Sequence, residues 1–316
     1  PDNACNKGVG RKTTLTELTT RIVKHVVDHV KSEDHDAQKI NQMAIKILAM
    51  LVERYTRDNV ARGHALIAVP KKPGKFKEGR AIDKDIGKEM IGTHPAILAV
   101  ALDAISYCQN YETVYAAMLL LKALLSAGEA EMRECMATML TETRNDMFFM
   151  QVRQLMRDAA ASFEEARLRD KPLKEEKLEL VEQLLSVMQL SCEGHYGPMQ
   201  TLLRTQEFNK SRDFNLIAET VSLFDTVAKD TNVIRNATLG ALEMLDACLE
   251  FLTEVTQGPC IENQRFVVNS VVMAVCNRLF EAQGRKTDNE TTCIRQMLRT
   301  KGAKLFGDEG DGGNKA

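Results

Sequence analysis

The chain has no tryptophan, and aromatic residues make up only 5% of it. Strand cores depend on aromatic and β-branched side chains, so this scarcity, beside plentiful Leu, Ala, Met and Glu, points to helix. No apolar run reaches the ~18 residues that a membrane span requires; the nearest candidates are cut by Asp103, Lys122 and Asn269. A signal-peptide pattern is missing too, and an opening on Pro1 rather than Met suggests a piece of a longer polypeptide or a processed one. The eight cysteines, at positions 5, 108, 135, 192, 248, 260, 276 and 293, include no CxxC pair. Cys108, Cys135, Cys248 and Cys276 sit inside helical apolar patterns, which favours buried, reduced thiols over a disulfide framework. Cys260, in the turn after Pro259, is expected to be the most reactive. Neither charge sign dominates: the net charge is −2 and the pI near 6.4, which gives no case for nucleic acid.

Catalytic signatures are absent as well. There is no GxSxG, no HExxH, no dinucleotide fingerprint, no phosphate-binding loop and no EF-hand run, so the chain does not read as an enzyme. The run Lys7 to Thr14 (KGVGRKTT) resembles a phosphate loop only faintly, with the wrong glycine spacing, and reads as a disordered terminus. His25 and His29 share a helix face without a Cys or a carboxylate-rich partner helix, so a solvated face is favoured over a metal site.

What remains is a chain of 316 residues, 44% hydrophobic and 27% charged, of folded rather than disordered composition. Leu15, Leu18, Ile22, Val26 and Val30 form one helical stripe; Ile40, Met43, Ile47, Leu51 and Tyr55 form the next. Further stripes run through Ile97 to Cys108, Val114 to Leu125 (with Gly128 placed to end that helix), 129–141, 145–168 and Leu178 to Met188. Others cover the stretch after Gly197-Pro198, Phe214 to Val227, a long helix capped by Asn236 and running to Gln257, Glu262 to Phe280, and Asn289 to Phe306. Roughly a dozen helices with short connections predict an all-α fold, an armadillo-like helical solenoid of consecutive helix hairpins. The composition shifts divide it into an N-terminal helix pair with a disordered start (1–66), a basic Pro/Gly linker (67–94) and armadillo-like helices (95–170). A helical domain (171–283) follows, then a terminal helix with an acidic Gly-rich tail (284–316).

Two segments stand out: LSCEGHYGPMQTLLRTQ (Leu190 to Gln206) and FLTEVTQGPCIENQ (Phe251 to Gln264). Each carries a glutamate, Glu193 or Glu254, near the C-terminal end of a helix and ahead of a glycine. The helix dipole is negative at that end, so an unpaired carboxylate is mildly unfavourable there. A cation would remove the conflict by binding the carboxylate together with the last free carbonyls. On the residues alone a second reading is favoured, in which Glu193 faces solvent and Glu254 pairs with a Lys or Arg, because exposed Glu is common on helices.

The second segment resembles a signature of the inositol trisphosphate receptor and ryanodine receptor superfamily, where it lies in the RIH-associated domain. CEGH and LLRTQ are closer in wording to ryanodine receptors, FNLIAETVSLFDTV and QGPCIENQ to inositol trisphosphate receptors, and the likeness extends upstream through His94 to Ala159. The resemblance implies that Glu193 and Glu254 coordinate an activating calcium ion, with His195 and Gln257 near the site. It further implies a third ligand, a threonine carbonyl, from the channel's C-terminal linker region, so the isolated chain would bind calcium weakly. By the same resemblance the chain would be a cytosolic regulatory segment, at the endoplasmic reticulum membrane or an equivalent store, of a homotetrameric ligand-gated calcium-release channel. Its partners would be other domains of that channel, and the pore would lie outside the chain. Val255-Thr256 departs from the aromatic and variable residue usual there, and the longer insertion between the Phe224 and Asn236 regions is lacking. The alternative is a free-standing armadillo-like scaffold that binds protein partners.

Overall fold

The computed structural model describes residues 15–61 and 95–283, except 33, 170–172, 174, 208–212, 230, 236 and 259. Among the described residues there are twelve α-helices and no strand. The first pair is α1 (Leu15–His29) and α2 (His35–Ala61). Asp34 starts α2 by accepting the Ala37 N–H at 3.0 Å. Then come α3 (Pro95–Tyr107), α4 (Tyr111–Glu142) and α5 (Asp146–Arg169). Asn110 caps α4 by accepting from the Thr113 N–H, and Asn145 caps α5 through the Phe148 N–H. The C-terminal part contains α6 (Glu175–Cys192), α7 (Gly197–Arg204), α8 (Leu216–Val227), α9 (Thr231–Arg235), α10 (Leu239–Thr256), α11 (Ile261–Val268) and α12 (Val272–Gln283).

The helices pack in two rows. One row places α1 beside α3, α3 beside α5, α5 beside α8 and α8 beside α12; the other runs α2, α4, α6, α10. The rows meet where α1 packs on α2, α3 on α4, α5 on α6 and α8 on α10, and a continuous apolar core fills the space between them. Phe148 and Phe149 of α5, Phe214 and Phe224 around α8, and Phe251 of α10 are among its largest fully buried side chains. The stripes expected for α3, α4 and α6 are the buried ones: Ile97, Val100, Ile105, Met118, Leu121, Leu178, Leu184 and Leu185 all lie inside.

Four expectations are corrected. Gly128 does not end a helix, because α4 runs unbroken to Glu142. A glycine inside a helix costs only about 1 kcal/mol, and α4 is held by its packing on α2, α3 and α6. The helix expected from Glu262 to Phe280 is two, split at Asn269–Val271, where Ser270 Oγ accepts the Val272 N–H and starts α12. The helix ending near Gln257 is capped by Thr238, whose side chain accepts the Ala241 N–H; Asn236 lies outside the described residues. On α2 the buried stripe is Ala44, Ile45, Leu48, Ala49 and Val52, whereas Ile40, Met43 and Ile47 face outward, Met43 at 57% exposure. Small alanines let α2 approach α4 closely, and that packing outweighs the larger side chains of the other stripe. The expected basic linker (67–94), the phosphate-loop-like run, and the terminal helix with its tail (284–316) lie outside the described residues.

Candidate functional site

At its C-terminal end α6 is buried at Ser191 and Cys192, and Ser191 Oγ donates to the Met188 carbonyl at 2.7 Å. Glu193 is the first residue beyond the helix. The backbone then turns through two left-handed residues, Gly194 (φ 71°) and His195 (φ 61°). Such a φ is uncommon for a side-chain-bearing residue, and here it brings the His195 N–H onto the Glu254 carboxylate. Helix α7 begins immediately, with Pro198 in its first turn, where the missing N–H leaves no bond unmade.

The end of α10 interlocks with this turn. Gly258 also has a left-handed backbone (φ 83°), and a Cβ placed on it would lie 2.7 Å from His195 Cβ. Only glycine meets both conditions. The carbonyls that α10 leaves free are taken up by side-chain amides. Gln200 of α7, fully buried, donates through Nε2 to the carbonyls of Glu254 (2.9 Å) and Gln257 (2.8 Å). Asn263 of α11 donates to the carbonyls of Val255 (3.1 Å) and Gln200 (2.9 Å), while its Oδ1 accepts from Arg204 Nε at 2.8 Å. Gln264 donates to Thr256 and Gly258. Protein amides thus already donate to the carbonyls that a cation was expected to gather.

Glu193 and Glu254 do come together, from helices of the same row. Glu254 is half-buried and its carboxyl is pushed above the usual range, first by burial and then by the Glu193 charge. His195, the Arg133 guanidinium and the His195 N–H pull the other way. Glu193 is 53% exposed, and its Oε2 lies 3.8 Å from Nη1 of Arg133, a residue of α4 only 12% exposed. The histidine side of the site is exposed, and His195 contributes its backbone. Gln257 also acts through its backbone, its carbonyl accepting from Gln200 and its N–H donating to the Thr253 carbonyl. A cleft of about 630 Å³ opens next to this turn between α4 and α7, bordered by Glu134, Thr138, Tyr196, Pro198 and Thr201.

Arg133, Gln200, Asn263 and Gln264 were missed by sequence reasoning. The two amides of IENQ lie in the first turn of α11, seven and eight residues after α10 ends, a signal that could have marked them as caps. Arg133 carries no local signal, since only the packing of α4 on α6 and α7 brings it to the site. Elsewhere, His25 and His29 are half-buried and stacked at 4.5 Å rather than solvated. Among the described residues no group of three or more His, Cys, Asp or Glu side chains is arranged to hold a metal. Cys260, expected to be reactive, is 7% exposed at the start of α11. The six described cysteines are free thiols, and burial pushes Cys108 and Cys276 up to about 11.

The interlocked ends of α6 and α10 lie inside a stretch, residues 175–280, that matches the family model described as RyR and IP3R Homology associated. This stretch is an RIH-associated domain. The inositol 1,4,5-trisphosphate receptor itr-1 of Caenorhabditis elegans is 34% identical over 114 residues, covering 32% of this chain and 4% of the receptor. The chain thus corresponds to a small part of that curated relative. No helix among the described residues is long and apolar enough to cross a membrane.

Proposed function

We propose that the chain is a calcium-sensing regulatory segment of an intracellular ligand-gated calcium-release channel, coupling calcium binding to a pore outside it. The observation that carries this reading is the meeting of Glu193 and Glu254, where burial first and then the Glu193 charge raise the proton affinity of Glu254. A divalent cation relieves such a pair by binding both. The residues fit calcium only in part. Two carboxylates supply at most about four of the roughly six to eight oxygens that calcium takes, and the nearby carbonyls are engaged by Gln200, Asn263 and Gln264. The remaining ligands come from water and from another domain of the channel, its C-terminal linker region, and the isolated chain binds calcium weakly. The two-row helix arrangement supports an armadillo-like solenoid, a scaffold able to hold Glu193 and Glu254 at fixed spacing while its outer faces meet neighbouring domains of a homotetramer. The segment sits on the cytosolic face of the calcium-store membrane. By binding the open state more tightly than the closed, calcium favours opening.

The test is channel opening against calcium concentration in a channel carrying this segment, with Glu193→Gln, Glu254→Gln and both together. Each single change keeps side-chain shape and removes one charge, and is expected to move activation to higher calcium, about tenfold, with folding retained. Unchanged curves in all three variants reject the assignment.

A further inference from the structure

Beside the two glutamates stands the Arg133 guanidinium, which with His195 pulls the Glu254 carboxyl toward its charged form. Arg133 projects from α4 toward the turn after α6, and its Nη2 approaches to 3.5 Å from where a Cβ on Gly194 would stand. Its Nη1 is 3.8 Å from Glu193 Oε2, near enough for ionic attraction but too long for a hydrogen bond. Its Nε is buried without a hydrogen-bond partner. Buried guanidinium groups are ordinarily held by several short, often bidentate bonds. This one is near the site and charged, yet weakly held. Glu254 also feels its charge.

We propose that Arg133 is a built-in counter-ion of the Glu193–Glu254 pair: it offsets part of the pair's negative charge when calcium is absent and is displaced from it when calcium binds. The proposal rests on the calcium reading above and adds what sets the threshold of the site. Arginine stays charged at any physiological pH, so it cannot withdraw by losing a proton. A calcium ion arriving at the pair meets like charge at close range, and binding requires the guanidinium to swing aside. The cleft between α4 and α7, bordered by Glu134, the next residue along α4, offers it an acidic place to go. Calcium affinity is thereby held below that of the bare carboxylate pair.

The experiment uses the whole 316-residue chain and measures tyrosine-sensitised terbium luminescence, with calcium displacing the terbium. Tyr196 adjoins the site as sensitiser, and there is no tryptophan to compete. Wild type is compared with Arg133→Met, Arg133→Gln, Arg133→Lys and the Glu193→Gln/Glu254→Gln double variant, each checked for wild-type helical content by circular dichroism. The uncharged Met and Gln variants are expected to bind calcium about 5–20-fold more tightly than wild type, from the Coulomb interaction at intermediate dielectric. Arg133→Lys, which keeps the charge, is expected to stay within about twofold. Either uncharged variant suffices should the other fail to fold. Equal affinities in all Arg133 variants, with binding lost in the double glutamate variant, overturn the counter-ion role and leave the calcium reading standing. Weaker binding in Arg133→Met and Arg133→Gln also overturns it, making Arg133 a support for Glu193. If binding ignores the double glutamate variant, the calcium reading falls and the counter-ion role with it.

Discussion

At the scale of single residues, the site depends on backbone that few side chains tolerate. Gly258 combines a positive φ with a gap already filled by His195 Cβ. An added methyl would have to push against a histidine that is itself left-handed, with its N–H committed to Glu254. Gly258→Ala is therefore expected to destabilise the fold by about 2–3 kcal/mol, the sum of a strained φ and a forced shift, read as a lower urea midpoint at unchanged m-value. Gly197→Ala is the control, since its Cβ would meet nothing within 4 Å and its φ is ordinary. If the two alanine variants unfold at the same urea concentration, the interlock does not matter energetically. The left-handed turn at Gly258 is thus a packing requirement first and a site requirement second.

At the scale of helices, α10 is closed by other elements rather than by its own sequence. Its last carbonyls are bound by amides from α7 and α11, and Asn263, fully buried, links three backbone or side-chain partners at once. Asn263→Ala leaves two carbonyls and Arg204 without their partner in a dry interior and is expected to cost about 3 kcal/mol. Asn263→Asp is near-isosteric and still accepts from Arg204, but it cannot donate to either carbonyl. It should be no better than alanine at neutral pH, and near-wild-type stability in Asn263→Asp would show that the donated bonds are dispensable. Element by element, the sequence was most readable where the apolar stripe is the buried one, as in α3 and α6. It misled on α2, where two apolar stripes compete and the smaller residues win because they permit closer approach to α4. Glu193 and Glu254 were singled out from their motifs, whereas Arg133 and Gln200 come near them through tertiary packing that no local pattern encodes.

At the scale of the whole molecule, the second row of helices carries an acidic seam that makes stability depend on pH. Glu182 of α6 is half-buried and pushed up to about 7 by burial, by Glu243 across on α10 and by Glu179 one turn away. Tyr115 of α4 donates to Glu179, and Tyr111 and Tyr115, both pushed up to about 12, also face the seam, as does Cys248. No lysine or arginine is among the groups that perturb Glu182. In the unfolded chain this glutamate ionises near 4.5, so between that value and about 7 the folded state holds a proton that the unfolded state has released. Stability then falls as pH rises through this window and stays reduced above it. For a half-exposed group, solvent screening limits the loss to about 1–2 kcal/mol. Glu182→Gln, permanently neutral, is expected to raise stability at pH 8 by about that amount and to leave it nearly unchanged at pH 5. Urea unfolding of wild type and variant at both pH values measures the difference directly, and because Glu182 lies on the α6–α10 contact rather than at the Glu193–Glu254 pair, calcium should not alter it. A variant equally stabilised at pH 5 and pH 8 would mean that the amide improves packing, and that the seam carries no shifted proton.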